Sequence, residues 1–332
     1  VAVGWSLTTD VWDLATPPRD PLEVLNNIYP QERCLLYLLL RHCQTPVDIL
    51  GEQDLSAGYL GRYKVYFLVG DHLRPESAEA LREWVRAGGT LISVAGGGLS
   101  DHRNRPLDTL KEVFGIQAAP LEKRSACMRP KLELLHAAPL DRITFSVTSA
   151  EGTTMDVYAY RQRIEPSEET VVLGRFLDGA PAATLNRFGE GRAIMIGALP
   201  GLSYVRPAIP LLPYGRGGRD NLSTFVPTEF NADVRRAVQA ILNLAGTARP
   251  VVCSDPLVEP TLLESKDKKA LHVALVNYDV EPKRELTVKI RGLGPLSVEK
   301  QPSVTVAQEG QNAELTLQTS VDRFRLVTLD KQ

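Results

Sequence analysis

A mainly parallel α/β sheet with a β-rich insertion, followed by a small all-β sandwich, is the fold class that three observations predict. From Val1 to about Pro120, apolar strand runs alternate with amphipathic helices, the pattern of parallel strands joined by right-handed crossovers. Between about 120 and 191 the chain turns to short alternating strands. Beyond Arg249-Pro250 only strand patterns remain, over a stretch suited to a sandwich. A length of 332 residues fits two domains at roughly 150 residues each. The expected division is 1–248, containing the insertion, and 249–332.

Each element has its own signal. Val1 to Leu7 reads as a buried strand, followed by a polar loop through Pro17, Pro18 and Pro21. A helix from about Pro30 to Cys43 carries Leu35, Leu36, Leu38, Leu39 and Leu40, apolar on more than one face and so expected to be well buried. Pro46 to Leu50 is a short strand, and Lys64 to Val69 a stronger one ending at Gly70. Pro75 opens a helix in its favoured first-turn position, with Leu81, Trp84 and Val85 inward and Gly88-Gly89 as terminator. Thr90 to Val94 is the next strand, and a helix from Pro106 to Phe114 closes at Gly115. Ile143 to Val147 and Val171 to Phe176 are strands of the insertion. Arg192 to Gly197 returns to the parallel style, and a helix from Thr228 to Ala245 repeats apolar residues at helical spacing. The sandwich strands are Leu271 to Asn277, Glu285 to Ile290, Ala313 to Leu317 and Phe324 to Leu329.

Composition narrows the function classes. Hydrophobic residues make up 43%, charged residues 23%, and the formal net charge is -2. No basic stripe points to nucleic acid, and no apolar run approaches the ~20 residues of a membrane span. No signal peptide pattern is present, and the compartment stays open. The first residue is not Met and already reads as strand, so a segment of a longer protein is expected. Cys34 and Cys43 lie ~13 Å apart along one predicted helix, beyond disulfide reach. The four cysteines are therefore expected to be buried free thiols. No metal-ligand spacing and no cofactor fingerprint occurs.

Ligands of open parallel sheets bind beyond the carboxyl ends of the strands, which singles out the turns after Leu7, Val69, Val94 and Gly197. Asp10 and Trp12 beside Asp13, with Trp5 in the strand before, suit a sugar: an aromatic face stacks on its C–H surface while carboxylates bind hydroxyls. The bland reading is a Trp packing the loop onto the sheet. Asp71 with His72, and Asp101 with His102, are candidate acid/base pairs at the same rim, or plain polar loop residues. Gly96 and Gly97 are candidate anion contacts if their turn opens a helix, and otherwise merely permit a tight turn. Arg216 and Arg219, on a glycine-rich loop, are candidates for an anion contact or a subunit interface.

The run Tyr63 to Val69, the Trp84 helix and Ala87-Gly88-Gly89-Thr90-Leu91-Ile92 resemble class I glutamine amidotransferase-like, flavodoxin-like folds. With Arg187-Phe188-Gly189-Glu190-Gly191-Arg192 and the Leu275-Val276-Asn277-Tyr278 strand, the chain is more closely similar to the amidotransferase-like domain and terminal sandwich of family 42 β-galactosidases. The amidotransferase resemblance implies a Cys on the elbow after the Thr90 strand and a His after a later one. Here the elbow reads Val94-Ala95-Gly96-Gly97-Gly98, and Ala198-Leu199-Pro200-Gly201 holds no His. No glutaminase activity is expected. The β-galactosidase resemblance implies a homo-trimer and places both catalytic glutamates in a (β/α)8 barrel that this chain lacks. Three functions follow: a non-catalytic assembly region of a carbohydrate-active protein, a separate sugar-binding or hydrolytic enzyme using strand-end aspartates, or a pure protein-interaction module.

Overall fold

The computed structural model describes residues 1–15, 28–124, 139–208, 229–291, 296–298, 304–309 and 314–331. Two compact units result, Val1–Leu39 with Val47–Thr247, and Leu40–Pro46 with Ala248–Gln332.

In the first unit, β1 (Ala2–Trp5), β2 (Asp48–Gly51), β3 (Val65–Leu68) and β5 (Thr90–Ser93) form parallel neighbours, with β4 (His72–Leu73) and β6 (Ser100–Asp101) paired separately. The insertion adds β7 (Ile116–Ala118), β8 (Leu121–Lys123), β9 (Asp141–Phe145), β10 (Thr154–Val157), β11 (Tyr160–Gln162), β12 (Glu165–Pro166), β13 (Val171–Arg175) and β14 (Pro181–Phe188) before β15 (Gly191–Ile196). The nine-stranded sheet runs β10-β9-β13-β14-β15-β5-β3-β1-β2. Its parallel part, read from the other edge, is β2-β1-β3-β5-β15, the flavodoxin-like order whose switch point lies between β1 and β3. The insertion strands extend this sheet antiparallel from β15.

Among the described residues, seven helices cover or edge the sheet: α1 (Leu7–Ala15), α2 (Ile28–His42), α3 (Glu52–Ser56), α4 (Pro75–Arg86), α5 (Thr109–Phe114), α6 (Pro200–Val205) and α7 (Ala232–Leu244). Leu36, Leu39 and Leu40 of α2 are fully buried, whereas Leu35 and Leu38 are half-buried. In α4, Pro75 occupies the first turn, and Ala78, Leu81 and Val85 pack into a core with Leu68, Leu91 and Phe114. The Trp84 indole lies where a side chain on Gly89 would stand, so the terminator glycine also makes room for the helix. α7 starts at Ala232 rather than Thr228, because the Asn231 side chain accepts from the Asp233 and Val234 N–H groups. Among the described residues no helix is long and apolar enough to cross a membrane.

Three local expectations are corrected. Leu7 does not extend the first strand but opens α1, where a loop was expected; the Ser6 Oγ caps it by accepting the Thr9 N–H at 3.0 Å. The glycine turn leads into β6, not a helix, so the helix-dipole basis for anion contacts at Gly96 and Gly97 is absent. Cys34 is exposed, because it faces outward on α2; Cys43 is buried and Cys253 half-buried, and Cys127 lies outside the described residues.

The described residues of the second unit form two four-stranded antiparallel sheets, one centred on Lys283–Arg291 and Glu314–Val321, the other on Ala270–Asn277 and Phe324–Lys331. Leu271, Val273 and Leu275 alternate inward and meet Leu286, Val288, Ile290, Leu317, Val327 and Leu329 in a shared core, the period of two that a sandwich demands.

Candidate functional site at the strand ends

The rim beyond β1 and β3 gathers several of the side chains expected there. Thr9 locks α1 to the segment after β3: its Oγ1 donates to the His72 carbonyl at 2.8 Å and accepts the His72 N–H at 3.1 Å. That brings Trp12 over the His72 ring, centroids 5.3 Å apart and planes 15° from parallel. His72 Nδ1 lies 2.7 Å from Asp71 Oδ1, and Nε2 lies 3.0 Å from Asn104 Oδ1. Burial lowers the His72 pKa, but the Asp71 hydrogen bond and charge, with Asn104, outweigh it and leave it raised. With an oxygen at each ring nitrogen, the imidazolium form is favoured.

Asp71 Oδ2 receives Lys123 Nζ at 2.6 Å, and the same ammonium lies 3.8 Å from Asp13 Oδ1. Lys123 also sits 5.2 Å from the ring centroids of both Tyr29 and Tyr160. Burial would raise the Asp71 pKa, yet the His72 hydrogen bond and the Lys123 charge hold it below the usual carboxylate range. Asp13 differs. Burial pushes it up to about 6, against the pull of Lys123 and with the help of Asp71. The network therefore holds two carboxylates of unlike character, bridged by a lysine that the insertion supplies through β8.

The other candidates lie apart from this network. Asp10 pairs with Arg33 at 2.9 Å and accepts the Trp5 indole N–H at 2.8 Å. Asp101 does not pair with His102. It accepts the Arg103 and Arg105 backbone N–H groups and the Arg105 guanidinium, and the Arg105 backbone bond leads in lowering its pKa to about 2. The His102 side chain is exposed, and its carbonyl receives the Trp12 Nε1–H at 3.3 Å. Trp12 and His102 share an open cleft of about 330 Å³ with Leu7, Thr8, Val11, Arg74 and Glu76. Arg216 and Arg219 lie outside the described residues.

The elbow itself is buried. The Gly96 N–H donates to Gln162 Oε1 at 2.7 Å, the Ala95 N–H to the Ala198 carbonyl at 2.9 Å, and the Gly98 N–H to the Gly70 carbonyl at 3.1 Å. Across the rim, Glu32 of α2 is fully buried and takes the Gly201 and Leu202 N–H groups of α6, each at 2.8 Å. The Glu32 carboxyl thus fills the first turn of α6, next to the turn where the amidotransferase resemblance would put a histidine. Lys123, Gln162, Tyr29 and Asn104 carry no sequence signal of a site, since each meets its partner across a long sequence separation. Glu32 alone leaves a trace, being a lone carboxylate on the face shared by Leu36 and Leu39.

A flavodoxin-like α/β unit whose strand-end rim is knit by internal ion pairs, carried in one chain with a two-sheet β unit, is the class of protein defined by these features. The chain belongs to the β-galactosidase trimerisation domain family, whose model matches residues 37–209. No curated protein matches its sequence. In fold it is similar to the β-galactosidase from Bacillus circulans sp. alkalophilus, with TM-score 0.64 and 15% identity, covering 100% of this chain and 41% of that one. The β-galactosidase from Rahnella sp. R3 gives TM-score 0.63 and 15% identity, over 99% and 40%. An alpha-L-fucosidase isoenzyme 2 from Paenibacillus thiaminolyticus gives 0.56 and 12%, over 91% and 45%. The chain therefore spans about two fifths of the length of these β-galactosidases.

Proposed function

We propose that this chain is a non-catalytic assembly region of a β-galactosidase-like protein, joining copies into a homo-trimer and performing neither glutaminase nor glycosidase chemistry. The observation that carries this reading is the state of the elbow. Ala95 and Gly96 offer no nucleophile, and the backbone N–H groups of Ala95, Gly96 and Gly98 are spent on internal acceptors. Nucleophilic catalysis needs a side chain at that turn with a base in hydrogen-bond reach, and an oxyanion needs free donors. The Asp71–His72 pair has the form of an acid/base dyad, but Asn104 takes the remaining ring nitrogen and Lys123 the remaining carboxylate oxygen. The family match supports assembly, and bond cleavage is assigned to the part of the longer protein outside this chain.

The test is an assay of the purified chain on a nitrophenyl galactoside and on glutamine. No turnover above the uncatalysed rate is expected. Turnover that disappears in Asp71→Asn would overturn the reading.

A second reading rests on the cleft beside Trp12, which pairs an aromatic wall with Arg74, Glu76 and His102 and has room for a single pyranose ring. Titration calorimetry with galactose separates the two. Saturable heat that Trp12→Ala abolishes would favour sugar binding, whereas assembly alone predicts no heat.

A further inference from the structure

Asp13 stands between two helix ends with opposite preferences. It lies in the last turn of α1, where the helix carbonyls disfavour a negative charge and no basic residue in that turn offsets them. Its Oδ2 accepts the Tyr29 N–H at 3.3 Å in the first turn of α2, where a negative charge is favoured. Lys123 leans to the other carboxylate, with Nζ 2.6 Å from Asp71 Oδ2 and 3.8 Å from Asp13 Oδ1. The Asp71 and Asp13 side chains are 10% and 4% exposed, so one ammonium serves two buried carboxyl groups.

Among the described residues, the other titratable and charged groups around Asp13 come from four elements. They are Asp10 on α1, paired with Arg33 of α2, then Tyr29 of α2, Asp71 and His72 beyond β3, and Tyr160 of β11 against Lys123. Asp10 and Asp71 oppose a second negative charge, and His72 balances Asp71 only while protonated. With Asp13 ionised and His72 neutral, two buried carboxylates share one cation. Thr9 fastens the early part of α1 to the His72 backbone through bonds that do not titrate. The last turn is held by Asp13 and by Trp12, which stacks on the His72 ring and donates to the His102 carbonyl. An imidazolium attracts the indole face more strongly than a neutral ring does, so the stack also responds to a proton.

We propose that Asp13, Lys123, Asp71 and His72 form a proton-operated clasp, which holds the last turn of α1 to α2 and β8 in mild acid and releases it toward neutral pH. The clasped chain keeps the Asp13 proton up to about pH 6, whereas a released carboxyl loses it near 3.8. The Asp13 contribution is thus complete below about pH 3.8 and lost as pH rises through about 6. His72, raised above 6.5, continues the loss there, and Asp71, held below 3.8, weakens the clasp only in stronger acid.

Hydrogen exchange of the full chain tests this, with each amide rate corrected for its intrinsic dependence on pH. From pH 5 to pH 7 the protection of the Val11–Ala15 amides is expected to fall about tenfold more in the parent than in Asp13→Asn. An equal fall in the two overturns the clasp and leaves Asp13 a plain cap of α2, as does protection in the parent that stays flat. Exchange in α1 that only keeps step with β3 means unfolding of the whole unit and also overturns it. Lys123→Met covers the case in which Asp13→Asn does not fold. It removes the cation that lowers the Asp13 pKa, so the fall must then extend to higher pH than in the parent, and a fall at the parent's pH contradicts the proposal.

Discussion

Gly96→Ala is expected to lower the unfolding free energy by about 3–5 kcal/mol, with the denaturant midpoint of the first unit as readout. Gly96 sits at φ +131°, and an added Cβ would stand 2.5 Å from the Gly70 carbonyl oxygen and 2.6 Å from the Tyr29 hydroxyl oxygen. The first obstacle is backbone, so no rotamer change relieves it, and the second belongs to a fully buried ring. Gly58→Ala is the control. Gly58 also has positive φ, at +85°, but nothing lies within 4 Å of its added Cβ, so only about 1 kcal/mol of backbone cost is expected. Equal losses at the two positions would show that backbone conformation, not crowding, fixes the turn. The same geometry bears on chemistry: a cysteine placed at 96 would meet the same two atoms, so the elbow has lost the space for a nucleophile as well as the nucleophile.

Glu32→Ala is expected to cost about 3–5 kcal/mol, because it leaves the Gly201 and Leu202 N–H groups buried without acceptors and opens a void in α2. Glu32→Gln separates charge from shape. Burial pushes the Glu32 pKa up to about 8, although both N–H groups pull it down. A folded-state value above the unfolded one, near 4.5, means that the folded chain holds a proton which the unfolded chain has released. The stabilising contribution is thus complete below about pH 4.5 and is lost as pH rises through about 8. Urea midpoints of parent and Glu32→Gln at pH 5, 6, 7 and 8 should show the parent losing stability relative to the variant at each step. A constant or growing advantage of the parent would contradict the raised pKa.

The sheet was readable because its strands are unbroken apolar runs, as doubly covered parallel strands must be, and because Pro75, Gly88 and Gly115 punctuate the helices. α1 was not, since its apolar residues face out and its polar ones in, the reverse of the pattern on which periodicity arguments depend. At the rim, Trp12, Asp71 and His72 were legible as a group from their positions just beyond β1 and β3. Their partners Lys123 and Asn104 were not, because tertiary pairing leaves no spacing in the sequence. Asp101 shows the converse. It reads as an acid beside a histidine, yet its carboxylate serves to shape the loop through the backbone of Arg103 and Arg105.

The proposed assembly role requires that this chain bring copies of itself together. The molar mass of the purified 332-residue chain, followed by light scattering over a wide concentration range, tests it most directly. A homo-trimer gives a plateau at three times the 36.5 kDa of one copy. A mass that stays at 36.5 kDa at every concentration would contradict it.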